Sequence, residues 1–431
     1  MNQEFGDESF DAALVTPVSA EPDHSRDPYH ALRFRDFRLL IIGTFIAVTG
    51  EQMVSIAIGW DLYERTGSAL VLGGVGLVQV LPAIMLSLPA GHFADQLDRK
   101  RIMLLAQIAV AIGSLGLTIL SFAQGSIWLI YGCLLLMGGA STFQSPASSA
   151  LLSRTVPESA YGNAATWRSS SWQLASVIGP ALGGLIIAIL HTSTLIYGLD
   201  TGAVLVFTIL IALIRAEQQE EPRGERTTLR SLIEGVNFLR STQVILAAIT
   251  LDLFAVLFGG ATTLLPIFAK DILHVGPAGL GWLRAAPSIG AVSMAICLAH
   301  LPPFKHAGRV LLWAVVGFGV ATIIFGLSHI FWLSLLMLFA LGAFDNISVV
   351  IRGTLLLMRT PDAMRGRISA VHNLFTTASN ELGGFESGVA AQLLGPLIAV
   401  VGGGVGTVLV VLCVALLWPE MRRLGVLTAV E

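Results

Sequence analysis

The sequence predicts an all-α integral membrane protein with twelve transmembrane helices, arranged as two pseudo-symmetric six-helix bundles. Three observations carry that reading. Of 431 residues, 54% are hydrophobic and only 12% charged, against roughly 25% charged in soluble domains, and the mean hydropathy is +0.77. Apolar stretches of about 20 residues, the length needed to cross a bilayer, recur from Leu39 onward. Small-residue and proline motifs of the first half return in the second at a nearly fixed offset. Composition also excludes other classes. The net charge of −3 leaves no basic field for nucleic acid. Cys133, Cys297 and Cys413 are scattered through apolar runs in no zinc or redox spacing.

Residues 1–37 read as a disordered cytoplasmic tail, its first 28 residues holding seven acidic side chains against the single Arg26. No apolar core with a cleavage site follows an early basic stretch, so no signal peptide is expected. Spans follow at about 38–59, 69–91, 102–123, 127–150, 164–190 and 194–214, forming a first bundle over 38–214. A linker, 215–243, carries Leu229, Leu232, Ile233, Val236 and Leu239 at helical spacing, which predicts an interfacial helix. The second bundle, 244–418, has spans at about 244–268, 277–299, 308–328, 330–352, 368–393 and 395–418, and a short cytoplasmic tail covers 419–431. An even number of spans puts both ends on one side. That side then holds twenty-one of the 25 Lys and Arg, a bias that places both termini in the cytoplasm.

The repeat relates the bundles. Gly74, Gly76 and Pro82 return as Gly279, Gly281 and Pro287, offset by 205 positions, and Pro157, Gly162, Gly179 and Gly184 return as Pro361, Gly366, Gly383 and Gly388, offset by 204. The second span thus matches the eighth and the fifth matches the eleventh. Two bundles of like orientation enclose a site at their interface, near the bilayer midplane.

Ionisable groups inside spans are costly unless they serve a site. Asp252 lies about eight residues into span seven, roughly 12 Å deep, sharing a face with Ala248, Ala255 and Gly259 that is narrow enough to leave room for water or substrate. Glu51 and Glu381 lie deeper, in spans one and eleven, with Ser55 and Asn380 beside them. An acid in a water-poor site can load and release protons near neutral pH. These three are expected to include a proton-coupling group; the alternative is pairing with a neighbouring helix. Arg284 is placed to pair with Asp252, to bind an anion, or to snorkel outward. Asp345 lies in span ten, with Arg352 two turns on as its expected partner. Trp60, Trp128, Trp332 and Trp418 fall at interfacial levels as belt anchors; Trp167, Trp172 and Trp282 either line a cavity or pack.

Between spans two and three the chain reads Gly91-His92-Phe93-Ala94-Asp95-Gln96-Leu97-Asp98-Arg99-Lys100-Arg101. This stretch resembles the major facilitator superfamily motif G-x-x-x-D-x-x-G-R-R/K at Gly91, Asp95, Arg99 and Lys100, with Asp98 in place of the glycine. The resemblance implies a latch that holds the outward-open conformation; an anchoring cluster of charges is the alternative. Gly179-Pro180-Ala181-Leu182-Gly183-Gly184 resembles the core of the superfamily's antiporter motif in span five, although Thr166 and Ala175 replace two upstream glycines. Plain helix packing by Gly179, Pro180, Gly183 and Gly184 explains it equally. Over most of the chain, Phe37-Arg38, Thr66-Gly67-Ser68-Ala69, Pro146-Ala147 and Arg365-Gly366-Arg367 look like the bacterial exporter branch that includes the enterobactin exporter and macrolide efflux proteins.

The expected function is therefore a secondary active transporter that exports a small organic molecule, siderophore-like or drug-like, across a bacterial inner membrane by proton antiport. Export direction follows from the resemblance alone. An importer or uniporter of the same fold is the alternative. No P-loop or HExxH motif supports a membrane-embedded enzyme, and a sensor would need an output domain that the short ends do not supply. No cofactor or metal is expected, the proton gradient supplying the energy. The expected partners are the substrate and the lipid bilayer, with no nucleic acid, and the chain is expected to act as a monomer.

Overall fold

The computed structural model describes residues 27–96, 98–215, 234, 237–239, 242–302 and 304–425, with the side chains of 87–96, 145, 146, 150, 362, 363 and 365 left aside. Among the described residues twelve long helices follow one another: α1 (Arg35–Thr66), α2 (Ala69–Gln96), α3 (Arg99–Phe122), α4 (Ile127–Thr155), α5 (Tyr161–Leu190), α6 (Thr194–Leu213), α7 (Gln243–Phe258), α8 (Gly276–His300), α9 (Ala307–Leu327), α10 (Phe331–Arg359), α11 (Asp362–Leu394) and α12 (Pro396–Leu417). A last short helix, α13, covers Pro419–Arg423. In hydrocarbon every backbone polar group must be satisfied within the chain, and a continuous helix does this at each apolar run. By length and composition eleven helical segments among the described residues can cross a membrane. The twelfth, α11, has 33 residues but is too polar to qualify, because it carries His372, Asn373, Asn380, Glu381 and Glu386.

Most helices exceed the expected spans. The 32 residues of α1 extend about 48 Å at 1.5 Å per residue, and α10 runs seven residues past its expected end. α1 stops at Gly67, whose φ of +61° and N–H bond to the Tyr63 carbonyl form a left-handed cap that glycine adopts without cost. α7 does not continue as a regular helix. After Phe258 it tightens into a 3₁₀ segment, Gly260–Leu264, and then widens into a π turn, Phe268–Ile272. The linker helix expected in 215–243 lies almost wholly outside the described residues.

Call the end where α1 begins and α12 finishes the terminal end, and the opposite one the distal end. The repeated glycines of α5 and α11 pack on the corresponding helices of the two halves, with the glycine that Gly388 meets on α2, Gly73, one turn before Gly76, the copy of Gly281. A Cβ at Gly179 of α5 would sit 2.5 Å from Gln52 Cβ on α1, and one at Gly383 of α11 would sit 2.8 Å from the Leu257 carbonyl on α7. Gly184 meets Gly281 across the α5–α8 crossing, where a Cβ would approach Gly281 Cα to 2.8 Å. Gly388 meets Gly73 across the α11–α2 crossing at 2.6 Å by the same measure. The motif repeat is thus a repeat of packing roles, as two bundles related by a pseudo-two-fold axis require.

The apolar cores are distributed unequally between the ends. At the distal end one continuous core joins both halves and includes Leu62, Leu72, Ile187, Leu265, Phe268 and Leu280. At the terminal end the first half has its own cores, around Leu40, Met103, Phe207 and Ile211 and around Phe37 and Ala164. The second half has another, around Ile245, Leu311, Leu355 and Val414. The halves are therefore packed together distally and cored separately at the terminal end. Ile42, Leu105, Ile112, Trp128, Trp313, Trp332 and Leu416 are exposed on the outer surface, the surface a lipid-embedded protein presents.

Candidate functional site

Two joined cavities lie between the halves. The one toward the terminal end encloses about 730 Å³ and the one toward the distal end about 640 Å³. Glu51, Ser55 and Gln79 from the first half, and Arg284, Thr377 and Glu381 from the second, line both, so these residues stand at the junction. The terminal-side cavity continues past Gln52, Gln107, Gln144, Asp200 and Asn373. The distal-side one is lined by Trp172, Thr262, Thr263 and Asn380. A concave space with a few convergent polar groups is the usual form of a small-molecule site.

Each charged group at the junction is placed by local chain geometry. Glu51 projects from the middle of α1 and is exposed to the cavity. Glu381 sits at the α2–α11 crossing, where a Cβ at Gly76 would lie 2.5 Å from its carbonyl, so its helix is held close against α2. Arg284 Nη1 reaches the Thr262 carbonyl at 3.4 Å. That carbonyl belongs to the 3₁₀ segment that interrupts α7, and irregular backbone at this depth is tolerated where it lines a cavity. Glu381 lines the same junction as Arg284.

The expected pairing of Arg284 with Asp252 is not what the chain forms. Asp252 Oδ1 lies 2.6 Å from Arg352 Nη1, and Arg352 also donates to Ser348 Oγ at 2.8 Å. Both charged side chains are buried inside the second half. Ala248 and Ala255 are buried in the apolar core of the second half. Asp345 stays within electrostatic reach of Arg352 and Asp252, but Arg352 binds Asp252 directly and not Asp345 as expected. Neither acid lines the central cavity. The physical reason is register: Arg352 stands on α10 one turn beyond Ser348, facing α7, a relation between non-adjacent helices that sequence spacing does not reveal.

Asp200 is a site residue that sequence reasoning missed. It is 1% exposed, lies in the apolar run of α6, and accepts a 2.6 Å hydrogen bond from Ser114 Oγ of α3. Its signal was available, because an acid in the middle of an apolar span is the criterion that selected Glu51.

The two family-like motifs do local structural work. Asp98, in the glycine position of the loop motif, caps α3 by accepting from the Lys100 backbone N–H at 2.9 Å. Lys100 Nζ donates to the Ala212 and Ile214 carbonyls at 2.8 and 2.7 Å, closing the C-terminus of α6. Arg99 opens α3. Gly91 and Asp95 belong to the end of α2, and what surrounds them lies outside the described side chains. In α5, Gly179 and Gly183 press on α1 and Gly184 on α8, with the Pro180 carbonyl close to Gly281. Trp128 and Trp332 are exposed as anchors, but Trp60 is buried under Lys270, whose Nζ stands 6.0 Å from its ring. Trp172 lines the cavity; Trp167 instead donates to the Pro28 carbonyl at 2.9 Å, and Trp282 is exposed.

Residues 26–424 match the family described as transmembrane secretion effector. The chain is 28% identical over 393 residues to the enterobactin exporter EntS of Citrobacter koseri, covering 90% of this chain and 92% of that protein. It is 24% identical over 368 residues to the multidrug efflux pump Tap of Mycolicibacterium fortuitum, covering 83% and 89%. Among solved structures, a POT family transporter in complex with 5-aminolevulinic acid superposes with a TM-score of 0.72 at 13% identity, covering 90% of this chain and 97% of that one. A bacterial homolog of the human lysosomal transporter Spinster, inward-facing and unoccupied, superposes with a TM-score of 0.68 at 14% identity, covering 92% and 98%. At such identities the structural likeness establishes the fold.

Proposed function

The chain belongs to the transmembrane secretion effector family of the major facilitator superfamily, and from that premise we propose that it is a secondary active exporter that carries a small organic molecule out across the inner membrane in exchange for protons. The observation that carries this reading is the polar cavity between the halves, with Glu51 on one wall and Glu381 on the other. Its relatives, an enterobactin exporter and a multidrug efflux pump, support export as the direction. The excess of Lys and Arg at the terminal end supports a cytoplasmic location for both termini. With that orientation the shared distal core closes the outer side, and the separately cored terminal end faces the cytoplasm, where an exporter loads.

The packing supports a rocking mechanism. Rocking of the halves about the junction separates α2 from α11 and α5 from α8 distally and brings the terminal cores together. Glu51 and Glu381 then meet the two aqueous sides in turn, which is what proton exchange requires. Substrate and proton bias the equilibrium only through their different affinities for the two states. The transporter works with the gradient alone and no bound cofactor.

The test compares the small molecules inside cells with and without the gene by mass spectrometry. Flux of the accumulated compound into proteoliposomes under an imposed pH gradient is then measured. Accumulation in the deletion strain and protonophore-sensitive flux are expected. Equal intracellular profiles, or flux indifferent to the gradient, overturn the reading.

A further inference from the structure

On the outer surface of the first half, apart from the transport cavity, α2, α3 and α4 enclose a groove of about 730 Å³. Pro82 of α2, Ile102 of α3, and Gly132 and Phe143 of α4 line it, and among the described residues no polar side chain does. Met85 and Leu105, also in its wall, are 66% and 65% exposed, so the groove opens outward, onto the bilayer. Its walls run about 10 Å along α3, from Ile102 to Ala109, and about 16 Å along α4, from Gly132 to Phe143. That is comparable to half of a roughly 30 Å hydrocarbon core. A single layer of helices separates groove from cavity: Gly139 lines the groove, while the adjacent Gly138 lines the terminal-side cavity.

One end of the groove lies at the first turn of α3, and a cation stands there. Arg101 is four residues before Leu105, and residues four apart share a helix face. Its side chain is 82% exposed and meets Asp98 Oδ2 at 3.6 Å, an exposed pair of little strength that exchanges partners readily. Lys100 beside it is engaged by the α6 carbonyls, so of these two cations Arg101 is the one turned outward. An apolar groove offers water none of the polar partners it needs; its opening onto the membrane offers it hydrocarbon chains. A guanidinium holds phosphate oxygens by paired, charge-assisted hydrogen bonds. An apolar trough about one leaflet long, with a cation at its headgroup end, is complementary to one phospholipid molecule.

We propose that this groove holds a phospholipid with an anionic headgroup, an acyl chain lying along Pro82, Ile102 and Gly132 and the phosphate on Arg101. Contact of the chain with a fitted apolar wall supplies dispersion energy, and Arg101 selects the headgroup. A zwitterionic headgroup brings its own cation to the phosphate, so Arg101 gains most on a headgroup without one. With the terminal end in the cytoplasm, the lipid belongs to the leaflet that carries the negative surface potential. Because α2 and α4 also present Gln79 and Gly138 to the terminal-side cavity, the bound chain backs the wall of the transport path. The site goes beyond the export reading and stands without it, since lipid binding needs no transport.

Phosphatidylglycerol and phosphatidylcholine with the same acyl chains are titrated onto the delipidated full chain in detergent, and bound lipids are counted by native mass spectrometry. The first phosphatidylglycerol is expected to bind at least about fivefold more tightly than the first phosphatidylcholine. Arg101→Gln, a change at the surface, should bring that ratio below about twofold. Nothing stands within 4 Å of a Cβ at Gly132, so in Gly132→Phe the ring enters the groove and should weaken the first lipid of either kind at least about fivefold. Gly202→Phe, at an equally open glycine of α6, should bind lipid like the parent chain. Size-exclusion and thermal-melt profiles check the fold of each variant; if Gly132→Phe fails to fold, the Arg101→Gln ratio decides alone. Equal binding of the two lipids, a preference that survives Arg101→Gln, a first lipid indifferent to Gly132→Phe, or equal weakening by Gly202→Phe overturns the proposal. So does a dimer that Gly132→Phe dissolves, because the groove then belongs to a second copy of the chain.

Discussion

Arg352 Nη1 and Asp252 Oδ1 are 2.6 Å apart, and the pair ties α10 to α7 in the interior of the second half, away from the transport cavity. Its role is to fix the shape of a bundle that must move as a body. Taking one partner from such a buried pair leaves the other charge uncompensated, at a cost of about 3–5 kcal/mol. Asp252→Leu is therefore expected to lower thermal stability in detergent sharply, and Asp252→Leu with Arg352→Met to recover most of the loss. A double variant as unstable as the single one shows that the pair does not act as a unit.

Gly184 and Gly388 are expected to act alike because each lets its helix approach a glycine of the other half. Valine at either position puts a side chain where Gly281 or Gly73 now sits, so the distal end cannot close. Both variants should shift the protein toward the distally open state. Spin labels at Thr66→Cys and His274→Cys, read by pulsed dipolar spectroscopy, should report longer distances in both. An effect confined to one glycine contradicts the two-fold relation.

Tyr63 donates to Asp271 across the halves, joining the end of α1 to the π turn after α7. A hydrogen bond to a charged group contributes about 1.5 kcal/mol or more. Tyr63→Phe should accordingly raise the population of the distally open state roughly tenfold on the same spectroscopic readout. An unchanged distance distribution removes this bond from the closure mechanism.

Glu51→Gln and Glu381→Gln separate the two acids of the junction in coupling. The sign is set by exchange: protons entering the cell drive substrate out, so in everted vesicles an acidic lumen drives uptake. The acid that carries the proton, once made an amide, should leave downhill exchange in place but reduce gradient-driven accumulation at least about tenfold. If both amide variants keep full gradient-driven accumulation, neither acid is the coupling group.

Lys100→Met removes the donor that closes α6 at the Ala212 and Ile214 carbonyls. Cations at helix C-termini contribute about 0.3–1 kcal/mol, so a loss of stability of that order is expected in a thermal melt. Transport should fall further if this contact also steadies the terminal end. A melt equal to the parent chain assigns the lysine to the lipid headgroups instead.

The sequence alone determined much of this protein. Hydropathy sets the spans, because apolar runs in a bilayer have one way to satisfy their backbones. The glycine repeat, from Gly184 to Gly388, reveals that the halves are copies, since a close helix crossing demands a small residue wherever it occurs. Depth along a span picked out Glu51, Glu381 and Asp252 alike, of which the first two line the cavity and Asp252 does not. What only the tertiary structure decided is which charges meet. Arg352 and Asp252 are 100 positions apart, on helices that are not sequence neighbours, and their rotation about the helix axes depends on the packing of everything between them. The unwinding of α7 at Gly259 and Gly260, which gives Arg284 the Thr262 carbonyl, depends on how closely α11 approaches there. Local spacing fixes where a residue lies along a helix, but the side to which it turns in the assembled bundle is a property of all twelve helices together.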